Sequence, residues 1–215
     1  MNIGVLASTN GTDLQAIIDE VEAGRLCAKI CVVISNKKNA YALQRAKNHR
    51  IEAVFVSPKG KKRKEYDREV AEVLKKHSVD LVLLIGYMRI LSPNFVKMYE
   101  NRIMNVHPSL LPVFPGMDRE VHREVLEHGV KITGCTIHFV DEGTDTGPII
   151  LQVPVPILEN DNIETLRDRV QKAEKIAFPK AIKLFMEGKL KVSGRRVEIK
   201  DFDNTKFVME VLDEL

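Results

Sequence analysis

Asn105 and His107 stand two residues apart in the segment Asn105-Val106-His107-Pro108-Ser109-Leu110-Leu111-Pro112, at the end of an apolar run. On an extended backbone that spacing puts both side chains on one face. Pro108 and Pro112 then interrupt regular structure. The segment therefore projects a carboxamide and an imidazole from a strand end, followed by a stiff loop. Ligand sites of α/β sheets gather at such ends. A carboxamide N–H can donate to a developing oxyanion, and an imidazole can move a proton near neutral pH. The pair suits acyl transfer.

A partner for the imidazole lies further on. Thr136-Ile137-His138-Phe139-Val140 alternates as a strand does, and Asp141-Glu142-Gly143-Thr144-Asp145-Thr146-Gly147-Pro148 follows as an acidic loop bounded by Gly and Pro. A carboxylate from this loop could hold the His107 ring and favour its protonated form. Taken singly, an Asn-x-His is common and an Asp in a Gly/Pro loop is usually a turn former. His138 reads either as a buried, hydrogen-bonded core histidine or as a group supporting the site.

The elements that must position these residues alternate along the chain. Strands are expected over 3–7, 30–34, 53–56, 81–85 and 103–106, with helices over 13–23, 40–48 and 64–77 between the earlier ones. The unbroken apolar run at 81–85 fits a strand buried on both faces. This repetition predicts an α/β fold: three layers, doubly wound, with a mostly parallel, Rossmann-like central sheet. A helix near 120–128, later strands over 133–140 and 149–155, a long helix over 162–187 and a closing strand at 197–199 complete it. In the long helix, Ile163, Leu166, Val170, Ala173, Ile176 and Ala177 form one apolar stripe. Residues 1–200 read as a single domain. The tail 201–215 has no clear partner.

Composition excludes several classes. The 215 residues are 44% hydrophobic and 29% charged, as in ordinary soluble domains. A net charge of +3 gives no case for nucleic acid. No apolar run reaches membrane-span length, and no signal peptide is visible at the start. Three cysteines, Cys27, Cys31 and Cys135, suggest reduced thiols and a cytoplasmic location. Cys27 and Cys31 lack the further ligands of a zinc site.

Four other segments invite functional and structural readings side by side. Ser8-Thr9-Asn10-Gly11-Thr12-Asp13-Leu14-Gln15 lies between the first strand and first helix. Thr12 and Gln15 have capping-box spacing, and helix-start amides bind phosphate readily; a capped helix without ligand is the alternative. Lys59-Gly60-Lys61-Lys62-Arg63-Lys64 reads as a solvated basic face. Met88-Arg89-Ile90-Leu91 reads as a strand-to-helix loop with core side chains. Gln171 and Glu174 lie one turn apart on the long helix, as on a solvated face.

The Asn105–Pro112 motif and the segment from His138 to Pro148 together resemble the folate-dependent formyltransferases. Asn10-Gly11-Thr12-Asp13-Leu14-Gln15-Ala16-Ile17 and Met88-Arg89-Ile90-Leu91-Ser92-Pro93 resemble the phosphoribosylglycinamide branch of purine synthesis. The likeness runs from about residue 2 to about residue 200. It implies a formyltransferase fold and transfer of a formyl group from 10-formyltetrahydrofolate to the amine of 5-phosphoribosylglycinamide, without a metal. Asn105, His107 and Asp145 would be catalytic. Asn10, Gly11, Thr12 and Asp13 would form the ribose-phosphate site, and Gln171 and Glu174 would meet the glycinamide. Arg63 would meet the acidic end of the folate; Met88, Arg89, Ile90, Leu91, Asn105, Val140 and Asp141 would line its pocket. The partners would be these small molecules, with neither nucleic acid nor membrane, on a monomer or homodimer. Alternatives are an amino-sugar formyltransferase, a formyltetrahydrofolate hydrolase and a non-catalytic folate- or nucleotide-binding module. Three departures bear on the acceptor. The family usually has Gly and Asn where this chain has Thr9 and Asp13. It has a His where Asp118 stands, a loss that His122 could make good. A carboxylate beside a phosphate would repel it unless turned away.

Overall fold

The computed structural model describes every residue except Met117, together with the side chains of all but Asp118 and Arg119 besides. The departure at Asp118 thus falls outside the described side chains. The described chain packs as two compact units, Met1–Asn105 with Val140–Glu142, and Val106–Phe139 with Gly143–Leu215.

The first unit carries β1 (Asn2–Ala7), β2 (Lys29–Ser35), β3 (Glu52–Phe55), β4 (Leu81–Ile85) and the start of β5 (Ile103–His107). These run parallel in the order β3-β2-β1-β4-β5. Helices α1 (Thr12–Glu22), α2 (Tyr41–Asn48), α3 (Arg63–Lys76) and α4 (Pro93–Met98) connect them. All five residues of β4 are buried, as the apolar run predicts. One apolar cluster joins Leu6, Ile34, Val82, Tyr66, Leu74 and Phe95. The strand order reverses between β1 and β4, so the loops after these two strands diverge there. Such a switch point is where doubly wound sheets admit ligands.

The second unit holds the antiparallel pair β6 (Ile132–Phe139) and β7 (Ile149–Pro156), and the hairpin β8 (Leu190–Ser193) and β9 (Arg196–Ile199). A short parallel bridge joins β9 to β7. The long helix α6 (Ile163–Met186) packs on β6, β7 and α5 (Asp118–Glu127). Asn162 caps it, accepting from the Thr165 N–H at 2.9 Å. The β6–β7 register shifts between Ile137 and His138, a bulge that re-aims the strand end just before the acidic loop.

Three elements go beyond the sequence expectation. α4 opens with Pro93 at its first turn, a position that tolerates the missing N–H. β8 supplies the partner that β9 needs. The tail is not unpartnered: α7 (Asn204–Glu214) packs on β7 and α6, burying Phe207 and Val211. Asp203 caps it, accepting from the Lys206 N–H at 3.0 Å. No helix among the described residues is long and apolar enough to cross a membrane.

Candidate active site

In the first unit, the loop after β1 does not use the expected capping box. Gly11 is the N-cap of α1, with φ 65° and no side-chain bond. The left-handed backbone suits glycine, and a Cβ there would stand 2.9 Å from the Ala42 Cβ. Gln15 instead turns sideways, its amide donating to Asp19 at 2.8 Å and accepting from Arg45 at 3.1 Å. Arg45 also donates to the Asn10 carbonyl at 2.8 Å, and the Ala42 N–H donates to the Thr9 carbonyl at 3.2 Å. The carbonyl side of the loop is thereby tied to α2. The first N–H groups of a helix have no intrahelical partner, which fits an anion site at residues 10–12. Asp13 is 7% exposed and sits in the first turn of α1.

Thr9 packs against Gly86 after β4; a Cβ on Gly86 would stand 2.2 Å from the Thr9 hydroxyl. Ser8 ties the two loops together. Its N–H donates to the Gly86 carbonyl at 3.1 Å, and its hydroxyl accepts from the Met88 N–H at 2.9 Å while donating to Asn36. Beyond this anchor Met88 and Ile90 are exposed and Leu91 is buried. Of the four side chains read as core, two are therefore presented to solvent. An exposed apolar pair beside fixed backbone amides is the lining that a flat heterocycle requires. Val140 is held by its N–H on the Ile103 carbonyl at 2.9 Å, and Asp141 beside it is half-buried. Asn105 is half-buried near the end of β5. Arg63 is exposed at the start of α3, and the basic run before it is largely solvated, Lys61 pairing with Glu69.

In the second unit His107 and Asp145 come together. The His107 Nδ1 lies 3.5 Å from the Asp145 carboxylate, and their side chains are 3% and 14% exposed. On its other side the ring donates from Nε2 to the Phe114 carbonyl at 2.9 Å. A carbonyl only accepts, so the proton on Nε2 is fixed and Nδ1 is left to face the carboxylate. His138 repeats the pattern. Its Nδ1 donates to the Phe139 carbonyl at 2.8 Å, and its Nε2 lies 3.8 Å from the other Asp145 oxygen. One carboxylate thus stands between two buried imidazoles, and His138 is both a buried, hydrogen-bonded histidine and a neighbour of Asp145. Asp145 adopts φ 55°, a left-handed backbone that Asp tolerates better than most residues.

The loop after His107 is fixed by groups that sequence reading missed. Ser109 donates to the Val113 and Phe114 carbonyls at 2.5 and 3.1 Å. Thr136 donates to the Ser109 carbonyl at 2.7 Å and accepts from the Leu111 N–H at 3.0 Å. Gln152 donates to the Leu111 carbonyl at 2.9 Å and to Thr136 at 3.0 Å. Half of this network is main chain, which leaves no residue-type signature. Gln152 did carry a signal, as a polar residue within an otherwise apolar strand.

Glu174 on α6 is 5% exposed, not part of a solvated face, and Gln171 one turn earlier is half-buried. His122 is fully buried on α5.

Comparisons with known proteins agree with this chemistry. The formyl transferase family's sequence profile matches residues 1–182. Phosphoribosylglycinamide formyltransferase of Escherichia coli is 41% identical over 193 residues, covering 89% of this chain and 90% of that protein. The trifunctional purine biosynthetic protein adenosine-3 of Chironomus tentans is 41% identical over 196 residues; they are 90% of this chain but only 14% of that much longer protein. The crystal structure of glycinamide ribonucleotide transformylase 1 from Symbiobacterium toebii superimposes with a TM-score of 0.90 at 48% identity, covering 94% of each chain. Fold, motifs and relatives converge, and the chain belongs to the formyl transferase family.

Proposed function

We propose that this protein transfers a formyl group from 10-formyltetrahydrofolate to the primary amine of 5-phosphoribosylglycinamide. The amine nitrogen attacks the formyl carbon, and the carbonyl oxygen takes up negative charge. Asn105 donates to that oxygen; removing one such donor typically costs about a hundred- to a thousand-fold in turnover. The bond from carbon to the folate nitrogen then breaks, that nitrogen gains a proton and the amine loses one. His107 supplies the acid. Its Nε2–H is committed to the Phe114 carbonyl, so Nδ1, on the Asp145 side, is the nitrogen that exchanges the proton. Asp145 holds the ring and balances its charge. The pairing of buried His107 with half-buried Asp145 is the observation that carries this reading.

The other assignments follow the same reading. The acceptor's phosphate lies on the amides of residues 10–12, with the Asp13 carboxylate turned away, and Gln171 and Glu174 meet the glycinamide. Met88, Arg89, Ile90, Leu91, Val140 and Asp141 line the slot for the folate, and Arg63 meets its acidic end. Exposed Met88 and Ile90 fit an aromatic co-substrate. Residues 1–200 act as one formyltransferase domain, with 201–215 as an appended helix. Cys27 and Cys31 are free thiols, in keeping with a cytoplasmic enzyme.

Measuring tetrahydrofolate release with and without candidate amines tests the proposal. Release only with glycinamide ribonucleotide is expected. Release with no amine would make the chain a hydrolase, and release only with an amino sugar would move the acceptor. No release under any condition, with folate still bound, would leave a binding module.

A further inference from the structure

Beneath the 86–92 loop lies a cluster of buried polar groups that the reaction does not use. Asp67 on α3 is 2% exposed, and one of its carboxylate oxygens accepts from the Ser92 N–H at 2.6 Å. Its other oxygen is buried without a hydrogen-bond partner among the described residues. Beside it Tyr66 is fully buried, and the Arg89 guanidinium lies over its ring, 4.2 Å from the centroid. Tyr87 lies close enough for the two phenols to perturb each other, and burial pushes both upward, so both keep their protons across the working pH range. Among the described residues, neither phenol oxygen nor the Arg89 Nε has a partner in ordinary hydrogen-bond geometry. Buried polar atoms left unpaired are costly, and a fold retains them where geometry matters more than stability.

The cluster grips the loop from below. At its start the Met88 N–H is held by Ser8, and at its end the Ser92 N–H is held by Asp67. Between these anchors Arg89 is stacked on Tyr66. With both ends and the middle fixed, the exposed side chains of Met88 and Ile90 have a set spacing and direction. Such groups act on binding by preorganisation, because a loop already in its bound shape loses less entropy when the ligand arrives.

We infer that Asp67, with Tyr66 as the platform for Arg89, is a positioning residue for formyl-donor binding, setting the shape of the 86–92 loop without touching the folate. This rests on the reading of that loop as the folate slot. Asp67→Ala removes the anchor; Asp67→Asn keeps an oxygen that can accept from Ser92. The expected result for Asp67→Ala is a KM for 10-formyltetrahydrofolate raised about tenfold, with kcat and the acceptor KM within about twofold. Asp67→Asn should recover the donor KM to within about threefold of wild type. A merely structural Asp67 would lower the melting temperature and leave the donor KM unchanged, or shift both KM values equally; either outcome overturns the inference. Should Asp67→Ala not fold, Tyr66→Phe against Tyr66→Leu asks the same question: a raised donor KM for Leu alone supports the platform, and equal values overturn it. Amide hydrogen exchange of the wild type with tetrahydrofolate separates the two levels. Protection of the amides of 88–91 with an unchanged donor KM in Asp67→Ala refutes the positioning role alone. No protection refutes the loop as the folate slot, and the positioning role with it.

Discussion

Two histidine–carboxylate pairs in this molecule differ in a way that separates structure from chemistry. His77 and Glu52 meet at 2.8 Å near the surface of the first unit, and the other ring nitrogen of His77 donates to the Val73 carbonyl at 2.8 Å. In the second unit His107 is buried and Asp145 half-buried, and the two stand 3.5 Å apart. By distance alone the first pair is the better ion pair. Yet the Glu52 side chain is 54% exposed, and water and salt screen what it contributes. The second pair sits where the dielectric is low, and its carboxylate is shared with His138 at 3.8 Å. A tight surface pair closes one interaction and has nothing left to do. A looser half-buried carboxylate between two oriented rings can follow a proton with little movement. Perturbation of a single group therefore misleads here. His77 is raised, chiefly by its bond to the Val73 carbonyl and then by Glu52, and Glu52 is lowered by His77, yet this pair has no part in the proposed transfer.

The largest test of this contrast is Asp145→Asn. The substitution keeps size and removes the charge that balances the His107 ring. Turnover should fall about a thousand- to ten-thousand-fold, the scale seen when a carboxylate that orients a catalytic histidine becomes an amide. The dissociation constant of tetrahydrofolate should move far less, within about threefold. Near wild-type turnover across neutral pH would make Asp145 a loop residue and erase the distinction from Glu52.

A smaller effect belongs to His138→Asn. The new amide can still donate to the Phe139 carbonyl, but the ring facing Asp145 is gone. A turnover loss of about tenfold, or about 1.4 kcal/mol in the barrier, is expected, with both KM values little changed. Unchanged turnover would show that Asp145 serves His107 alone.

The surface pair should respond only in stability, and only within a pH window. His77 is raised, so its contribution is complete below its ordinary value of about 6.5 and is lost as pH rises through the raised value. Glu52 is lowered, so its contribution is present above about 4.3 and is lost as pH falls through the lowered value. Glu52→Gln should therefore lower Tm most between about pH 5 and 6.5, by no more than about 3 °C, and not at all near pH 9. Formyl transfer should be untouched. A thermal scan showing the larger difference at high pH would reverse the sign and the account of the pair.

Much of this contrast was legible in the residues, and part was not. Buried apolar runs such as 81–85 announce strands, and the Asn-x-His before two prolines announces a strand end with two aimed side chains. The acidic loop suggests a carboxylate but does not choose Asp145, because that choice rests on the left-handed backbone at 145 and the bulge at His138. Neither has a strong local signature. The Phe114 carbonyl that fixes the His107 tautomer is main chain and has none. Residues 12–15 had the letters of a capping box, but Gly11 can adopt a backbone that Thr12 resists, and Gln15 found better partners in Asp19 and Arg45. Among the elements, α7 was missed because its two buried residues, Phe207 and Val211, are too few to show a period.

The smallest predicted effect concerns a third carboxylate, Asp13, which is buried where Asp145 is only half-buried and lies at a helix start. At 7% exposure it is not simply turned out to solvent. Its position in the first turn of α1 favours the helix dipole, which gives it a structural reason to be there. The phosphate site proposed at residues 10–12 uses backbone amides, and these do not depend on the side chain at 13. A carboxylate within a few ångströms of a bound phosphate would oppose it strongly in this buried setting, where screening is weak. Asp13→Asn distinguishes the two arrangements. If the carboxylate points away from the phosphate, the affinity for glycinamide ribonucleotide should change by less than about threefold, under roughly 0.7 kcal/mol, although the melting temperature falls with the lost dipole interaction. A tenfold or larger gain in affinity would place the charge against the phosphate. That result would favour an acceptor without a phosphate at this loop, and Asp13 would then be the residue that sets the acceptor apart from the branch this chain otherwise resembles.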